Sequence, residues 1–161
     1  MATPTKIDHE IRLLDGDTFG LGVYRGLGLL IVNIASRGPH ARQLVELDHL
    51  CSTYGNMGLM VLGVPSNDFG GEPGADQGVR ARYEIDLRVS FMVTQRMKVR
   101  GERPNRLFRA LCEEGGPVRS DFEKFVVDGD GYVSERFGAD VSPMDDRIKA
   151  ALKFVLPTMG Y

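Results

Sequence analysis

The chain has 161 residues, 42% hydrophobic and 26% charged, which is the composition of an ordinary globular protein and excludes a disordered, collagenous or coiled-coil chain. Twenty Lys and Arg stand against 22 Asp and Glu for a formal net charge of -2, so no basic field directs the protein to nucleic acid or to an anionic membrane surface. Its longest apolar runs, Gly28 to Ile34 and Gly58 to Pro65, fall well short of the ~18 residues that read as a spanning helix, and Met1 to Asp8 carries no signal-peptide core, so a cytoplasmic protein with no membrane span is expected.

Taken in chain order, Ile11 to Val23 predicts a short hairpin, because apolar residues flank Asp15-Gly16-Asp17 and Asp-Gly tolerates the positive φ of a tight turn. Leu29 to Ile34 is a near-continuous apolar run, as in a central strand covered on both faces. Leu44, Leu47, Cys51 and Tyr54 recur at three- and four-residue spacing and predict an amphipathic helix over 41–54. A second buried strand, Leu59 to Val64, completes a parallel crossover unit. Asp76 to Asp86 reads as a polar helix, Arg96 to Val99 as a short strand, and Pro104 to Glu113 as a helix with Leu107, Phe108 and Leu111 inward. Phe122 to Val127 and Tyr132 to Phe137 flank Asp128-Gly129-Asp130-Gly131 as an antiparallel hairpin, and Ser142-Pro143 opens a last helix reaching about Leu156. The order is β-β-β-α-β-α-β-α-β-β-α. With no repeat and no linker, residues 1–161 are expected to form a single α/β domain.

That order is thioredoxin-like, and three ordered motifs make a closer match. Leu30-Ile31-Val32-Asn33-Ile34-Ala35-Ser36, Val64-Pro65-Ser66-Asn67-Asp68-Phe69-Gly70-Gly71-Glu72-Pro73-Gly74 and Phe122-Glu123-Lys124-Phe125-Val126-Val127-Asp128 resemble the three signatures of the glutathione peroxidase family, the second with one residue missing before Glu72. The resemblance implies a central mixed sheet flanked by helices, with an N-terminal β-hairpin.

The departures fall where the family keeps its chemistry. After Ser36 the family has a basic residue and then its peroxidatic cysteine or selenocysteine, and these positions hold Arg37 and Gly38. The family's glutamine corresponds to Asp68, its tryptophan to Ser120 and its asparagine to Asp121. The second signature's non-catalytic cysteine corresponds to Ser66, and the usual resolving-cysteine region holds Tyr83. Peroxide reduction needs a low-pKa thiolate or selenolate that attacks an O–O bond, which glycine cannot supply. Cys51 and Cys112 both lie on inward helix faces and read as small core hydrophobes, with neither a CxxC pair nor a zinc set available.

The resemblance further implies that Gly38, Asp68, Ser120 and Asp121 converge, with Arg37, His40 and Asn67 near the rim. Two carboxylates brought together would share a proton, coordinate a cation, or be held apart by Arg37 or His40. Asp68, Asp121 and His40 form the candidate metal set. The plainer alternative is a solvated, abandoned cleft with His40 at a wet helix start and Arg37 on the surface. Asp128-Gly129-Asp130-Gly131 lacks the later ligands of a calcium loop, Gly20-Leu21-Gly22 and Gly26-Leu27-Gly28 lack the setting of a dinucleotide fingerprint, and no Gly-x-Ser-x-Gly elbow supports a Ser–His–Asp triad.

Two functions follow from different classes. A non-catalytic relative that binds an unidentified protein or small-molecule ligand, with no cofactor, stands ahead of a thiol-free enzyme using Asp68, Asp121 and His40 for acid–base or metal chemistry; residual peroxidase activity ranks third. The apolar C-terminal segment, with Phe154, Met159 and Tyr161, is expected to pack on its own domain or on a second copy in a homo-oligomer.

Overall fold

The computed structural model describes residues 3–157. Strands β1 (Glu10–Arg12) and β2 (Thr18–Gly20) form the N-terminal antiparallel hairpin. Gly16 takes φ +95 in its turn, a conformation that glycine adopts without steric cost. Five further strands make one mixed sheet: β3 (Gly28–Ile34), β4 (Leu59–Pro65), β5 (Met92–Val93), β6 (Lys124–Val127) and β7 (Val133–Phe137), in the order β5-β4-β3-β6-β7. β3 runs parallel to β4 and antiparallel to β6.

Every residue of β3 is buried, because both sheet faces are covered, as the uninterrupted apolar run predicted. Side chains alternate between the faces. Leu30, Val32 and Ile34 join Leu44, Leu47 and Leu50 of α1 (Gln43–Tyr54), Val79 of α2 (Asp76–Ala81), and Ile148, Ala151 and Leu152 of α4 (Asp146–Val155). Leu29 and Ile31 join Ile11, Leu21 and α3 (Arg106–Leu111) on the other face. Asp145 caps α4 by accepting the Arg147 amide at 2.8 Å, and Asn105 caps α3 by accepting the Leu107 amide at 2.9 Å; each satisfies a donor that a helix start leaves open.

Three local expectations need correction. The short strand lies at Met92–Val93, paired with Leu62 and Gly63, and not at 96–99. There the amide of Met97 donates to the Pro65 carbonyl at 3.1 Å, while those of Val99 and Arg100 donate to the Asp68 carboxylate, so the segment is tied down by loop contacts instead of a strand ladder. The predicted helix 76–86 is α-helical only to Ala81 and continues as a π-helical turn, Arg82–Asp86. Three helices start later than expected: α1 at Gln43, after a run of tight turns from Gly38, α3 at Arg106 instead of Pro104, and α4 at Asp146 instead of Ser142-Pro143, where the Asp145 amide donates to the Ser142 carbonyl in a turn. Met159 and Tyr161 lie outside the described residues, while Phe154 is 84% exposed. Among the described residues no helix is long and apolar enough to cross a membrane.

Candidate functional site

The ends of β3 and β4, which run parallel, and the segment leading into β6 meet at one edge of the sheet. Residues 37–40 follow β3, residues 66–72 follow β4, and residues 119–122 precede β6. Their meeting is fixed from below. Asn33, fully buried in β3, donates from Nδ2 to the Ser120 carbonyl at 2.9 Å and accepts the Glu123 amide on Oδ1 at 3.0 Å. The Phe122 amide donates to the Asn33 carbonyl, and Phe122 itself sits at φ +66, a left-handed conformation that a bulky residue adopts only where its surroundings enforce it.

On the other side Glu72 holds the 36–38 turn. This carboxylate is fully buried; it accepts the Ser36 amide at 3.1 Å and the hydroxyls of Ser36 and Tyr83, and pairs with Arg82 at 3.0 Å. Arg96 donates to the Glu72 carbonyl at 2.8 Å, and Asn67 accepts the Glu72 amide at 3.0 Å. Burial and the neighbouring Glu72 carboxylate push the Tyr83 hydroxyl far above its usual range, so Tyr83 stays a donor. The Arg37 amide donates to the Gly71 carbonyl at 3.1 Å. A Cβ on Gly71 would lie 2.7 Å from both Ala35 Cβ and the Arg37 carbonyl, so this close approach requires glycine.

Between these anchors lies a cleft of about 280 Å³, lined by Arg37 to His40, Phe69 to Gly71, and Ser120 to Phe122. Five of the expected residues, Arg37, Gly38, His40, Ser120 and Asp121, line it together. Asn67 and Asp68 do not. Asp68 turns toward residues 99–100 and accepts the Val99 amide at 2.7 Å and the Arg100 amide at 3.1 Å on Oδ2. Asn67 is occupied with the Glu72 amide. The metal set of His40, Asp68 and Asp121 is therefore corrected: among the described residues no three His, Cys, Asp or Glu side chains gather as a metal ion requires.

Asp121 is the unusual group. Its Oδ1 is buried with no hydrogen-bond partner, a costly arrangement for an acceptor. Burial, then the charges of Glu72 and Asp68, push its carboxyl up to about 6. The carboxylate pairing expected between Asp68 and Asp121 therefore also involves Glu72, whose spacing in the sequence announces no buried acid. Gly38 sits at φ +114 with open space where a Cβ would stand. Neither cysteine of the chain lines the cleft, and burial pushes both the Cys51 and Cys112 thiols up.

The five-stranded mixed sheet with helices on both faces and an N-terminal hairpin is a thioredoxin-like fold. It superimposes on a thioredoxin-family thiol:disulfide interchange protein from Chlorobium tepidum TLS with a TM-score of 0.67, at 19% identity over 96% of this chain and 98% of that one. Within that class, residues 7–112 match the family described as Glutathione peroxidase, and this chain belongs to that family. It is 31% identical to a glutathione peroxidase of Lactococcus lactis subsp. cremoris over 90% of this chain and 98% of that protein. It matches the crystal structure of apo Trgpx with a TM-score of 0.73, at 25% identity over 95% of this chain and 99% of that one.

Proposed function

We propose that this glutathione peroxidase-family protein binds a ligand in the Gly38–Asp121 cleft and performs no thiol peroxidase chemistry. The observation that carries this reading is the cleft's own chemistry: the turn at the end of β3 presents Gly38 and no sulfur. A peroxidatic thiol needs surroundings that favour the thiolate. Here the cleft lining includes an acid, Asp121, and the two thiols of the chain lie elsewhere with their pKa values raised by burial. The thiol-free enzyme reading loses much of its support because Asp68 is engaged with backbone amides outside the cleft. The relatives named as peroxidases make the test direct. The purified protein, supplied with hydrogen peroxide or a lipid hydroperoxide and with glutathione or reduced thioredoxin, should show no turnover above buffer. Turnover that Cys51→Ser or Cys112→Ser abolishes would overturn the reading.

A further inference from the structure

The cleft holds one cation and one anion that do not neutralise each other. Among the described residues, Arg37 and Asp121 both lack an ion-pair partner, and they are not within pairing distance of one another although both line the same cavity. Asp121 places Oδ2 3.2 Å from where a Cβ on Gly71 would stand and keeps Oδ1 buried and unsatisfied, whereas Arg37 is exposed at the mouth beside half-buried His40. Beside His40 and Ser120, the remaining side chains of the wall are apolar: Pro39, Phe69 and Phe122. About 280 Å³ lies just under the ~300–1,000 Å³ of drug-sized sites, so the occupant is a small molecule.

From this arrangement we infer that the cleft binds a small zwitterion of the free amino acid class, its ammonium on Asp121, its carboxylate at Arg37, and an apolar side chain against Phe69 and Pro39. This rests on the reading of the cleft as a binding site. A ligand with only an amine would leave Arg37 repelling it, and one with only a carboxylate would meet the charge of Asp121; rejection of both follows from the same two residues. An ammonium group in the cleft also supplies the opposite charge that the Asp121 carboxylate lacks among the described residues. The acids near Asp121, Glu72 and Asp68, add to the negative potential at the floor. Glu72 is itself held in place by its pairing with Arg82 and by the Tyr83 hydroxyl, which donates to it.

Amide shift mapping of the full chain tests the assignment, with L-phenylalanine, its methyl ester and N-acetyl-L-phenylalanine as probes and the other common amino acids screened alongside. At pH 7.5, L-phenylalanine or another apolar amino acid should give saturable shifts at Gly38, Gly70, Gly71 and Asp121. Each capped analogue should bind at least tenfold more weakly. Asp121→Asn and Arg37→Gln should each weaken the free amino acid at least tenfold. Arg37 is exposed, so its variant reports on binding independently of any change in stability at Asp121. Equal binding by either capped analogue, shifts confined to other regions, or no saturable shift from any amino acid would overturn the proposal. Peroxide turnover measured on the same sample separates the two readings: turnover overturns the absence of peroxidase chemistry, whereas a lack of binding without turnover overturns the zwitterion alone.

Discussion

Asn33 and Ser120 lie 87 residues apart in sequence and 2.9 Å apart across a hydrogen bond, the Asn33 side-chain amide donating to the Ser120 carbonyl. The same side chain accepts the Glu123 amide, so one buried amide group in β3 holds both ends of the segment that carries Asp121. Replacing Asn33 with Leu keeps the volume approximately but leaves a buried carbonyl and a buried N–H without partners. A loss of about 2–4 kcal/mol is expected, read from urea unfolding. An unchanged midpoint would show that the segment is held by other contacts.

The Asp121 carboxyl gives a stability signature with a definite sign. Its folded-state pKa is raised from 3.8 to about 6, so the folded state disfavours the charged form. Below about pH 4 both folded and unfolded chains are protonated there and nothing is lost. As pH climbs from 4 through 6 the penalty grows, and above 6 it is constant. Asp121→Asn should therefore be more stable than the parent at pH 7.5 by about 1 kcal/mol, a figure reduced from the full shift because the group is only partly buried. The advantage should vanish at pH 4. Equal stability of the two proteins at both pH values would refute an unpaired, desolvated carboxylate.

Removing the Glu72 charge should be felt at Asp121. Glu72→Gln takes away the larger of the two neighbouring charges that raise Asp121, and carboxyl-carbon NMR should show the Asp121 midpoint falling from about 6. Asp68→Asn should move it less. The same Glu72 variant leaves Arg82 without its buried partner at 3.0 Å, with an expected loss of about 3 kcal/mol in unfolding free energy. A larger response to Asp68→Asn than to Glu72→Gln would reverse the assignment of the coupled pair.

Installing a thiol at the turn should fail for a backbone reason as well as an electrostatic one. Gly38 sits at φ +114, where an L side chain is strained even though the space around it is open. Gly38→Ala and Gly38→Cys should each lose about 1–2 kcal/mol. In the cysteine variant the Asp121 charge opposes thiolate formation, so peroxide consumption should remain near background at pH 7. Fast, stoichiometric oxidation of Gly38→Cys by hydrogen peroxide would contradict this.

Both native thiols should behave as inert packing groups. Alkylation of Cys51 and Cys112 by iodoacetamide should stay slow at pH 7 and accelerate only above the ordinary thiol value of about 8.5, since burial raises both. Rapid labelling of either at neutral pH would mark it as reactive.

The central elements were legible because each carries its signal within its own span. The apolar run 29–34, the three- and four-residue spacing of Leu44, Leu47 and Cys51, and Asp128-Gly129 between two apolar runs all became the expected strand, helix and hairpin. Arg96 to Val99 misled because alternating charged and apolar residues look like a half-buried strand, while the contacts that decide the segment come from Pro65 and Asp68, about 30 positions away. The site divides the same way. Arg37, Gly38, His40, Ser120 and Asp121 reach one cleft because flanking strands bring them there. Asp68 left it because two backbone amides from a distant loop were available to its carboxylate. Glu72 was missed because its burial depends on Ser36, Arg82 and Tyr83, and no local pattern shows that a charged residue will find three partners from two other segments.

The turn after β3 is fastened at its flanks, by Ser36 on Glu72 and by the Arg37 amide on Gly71, while no atom beyond the neighbouring residues approaches the place of a Cβ at Gly38. The residue at the tip is consequently uncoupled from the scaffold that presents it. In such an arrangement the side chain at the tip can be exchanged or deleted at a cost in folding stability set by a local φ preference, with the β-sheet core, Glu72 and Asn33 left undisturbed. A lineage can thus keep its architecture whole while the chemistry at the tip is rewritten.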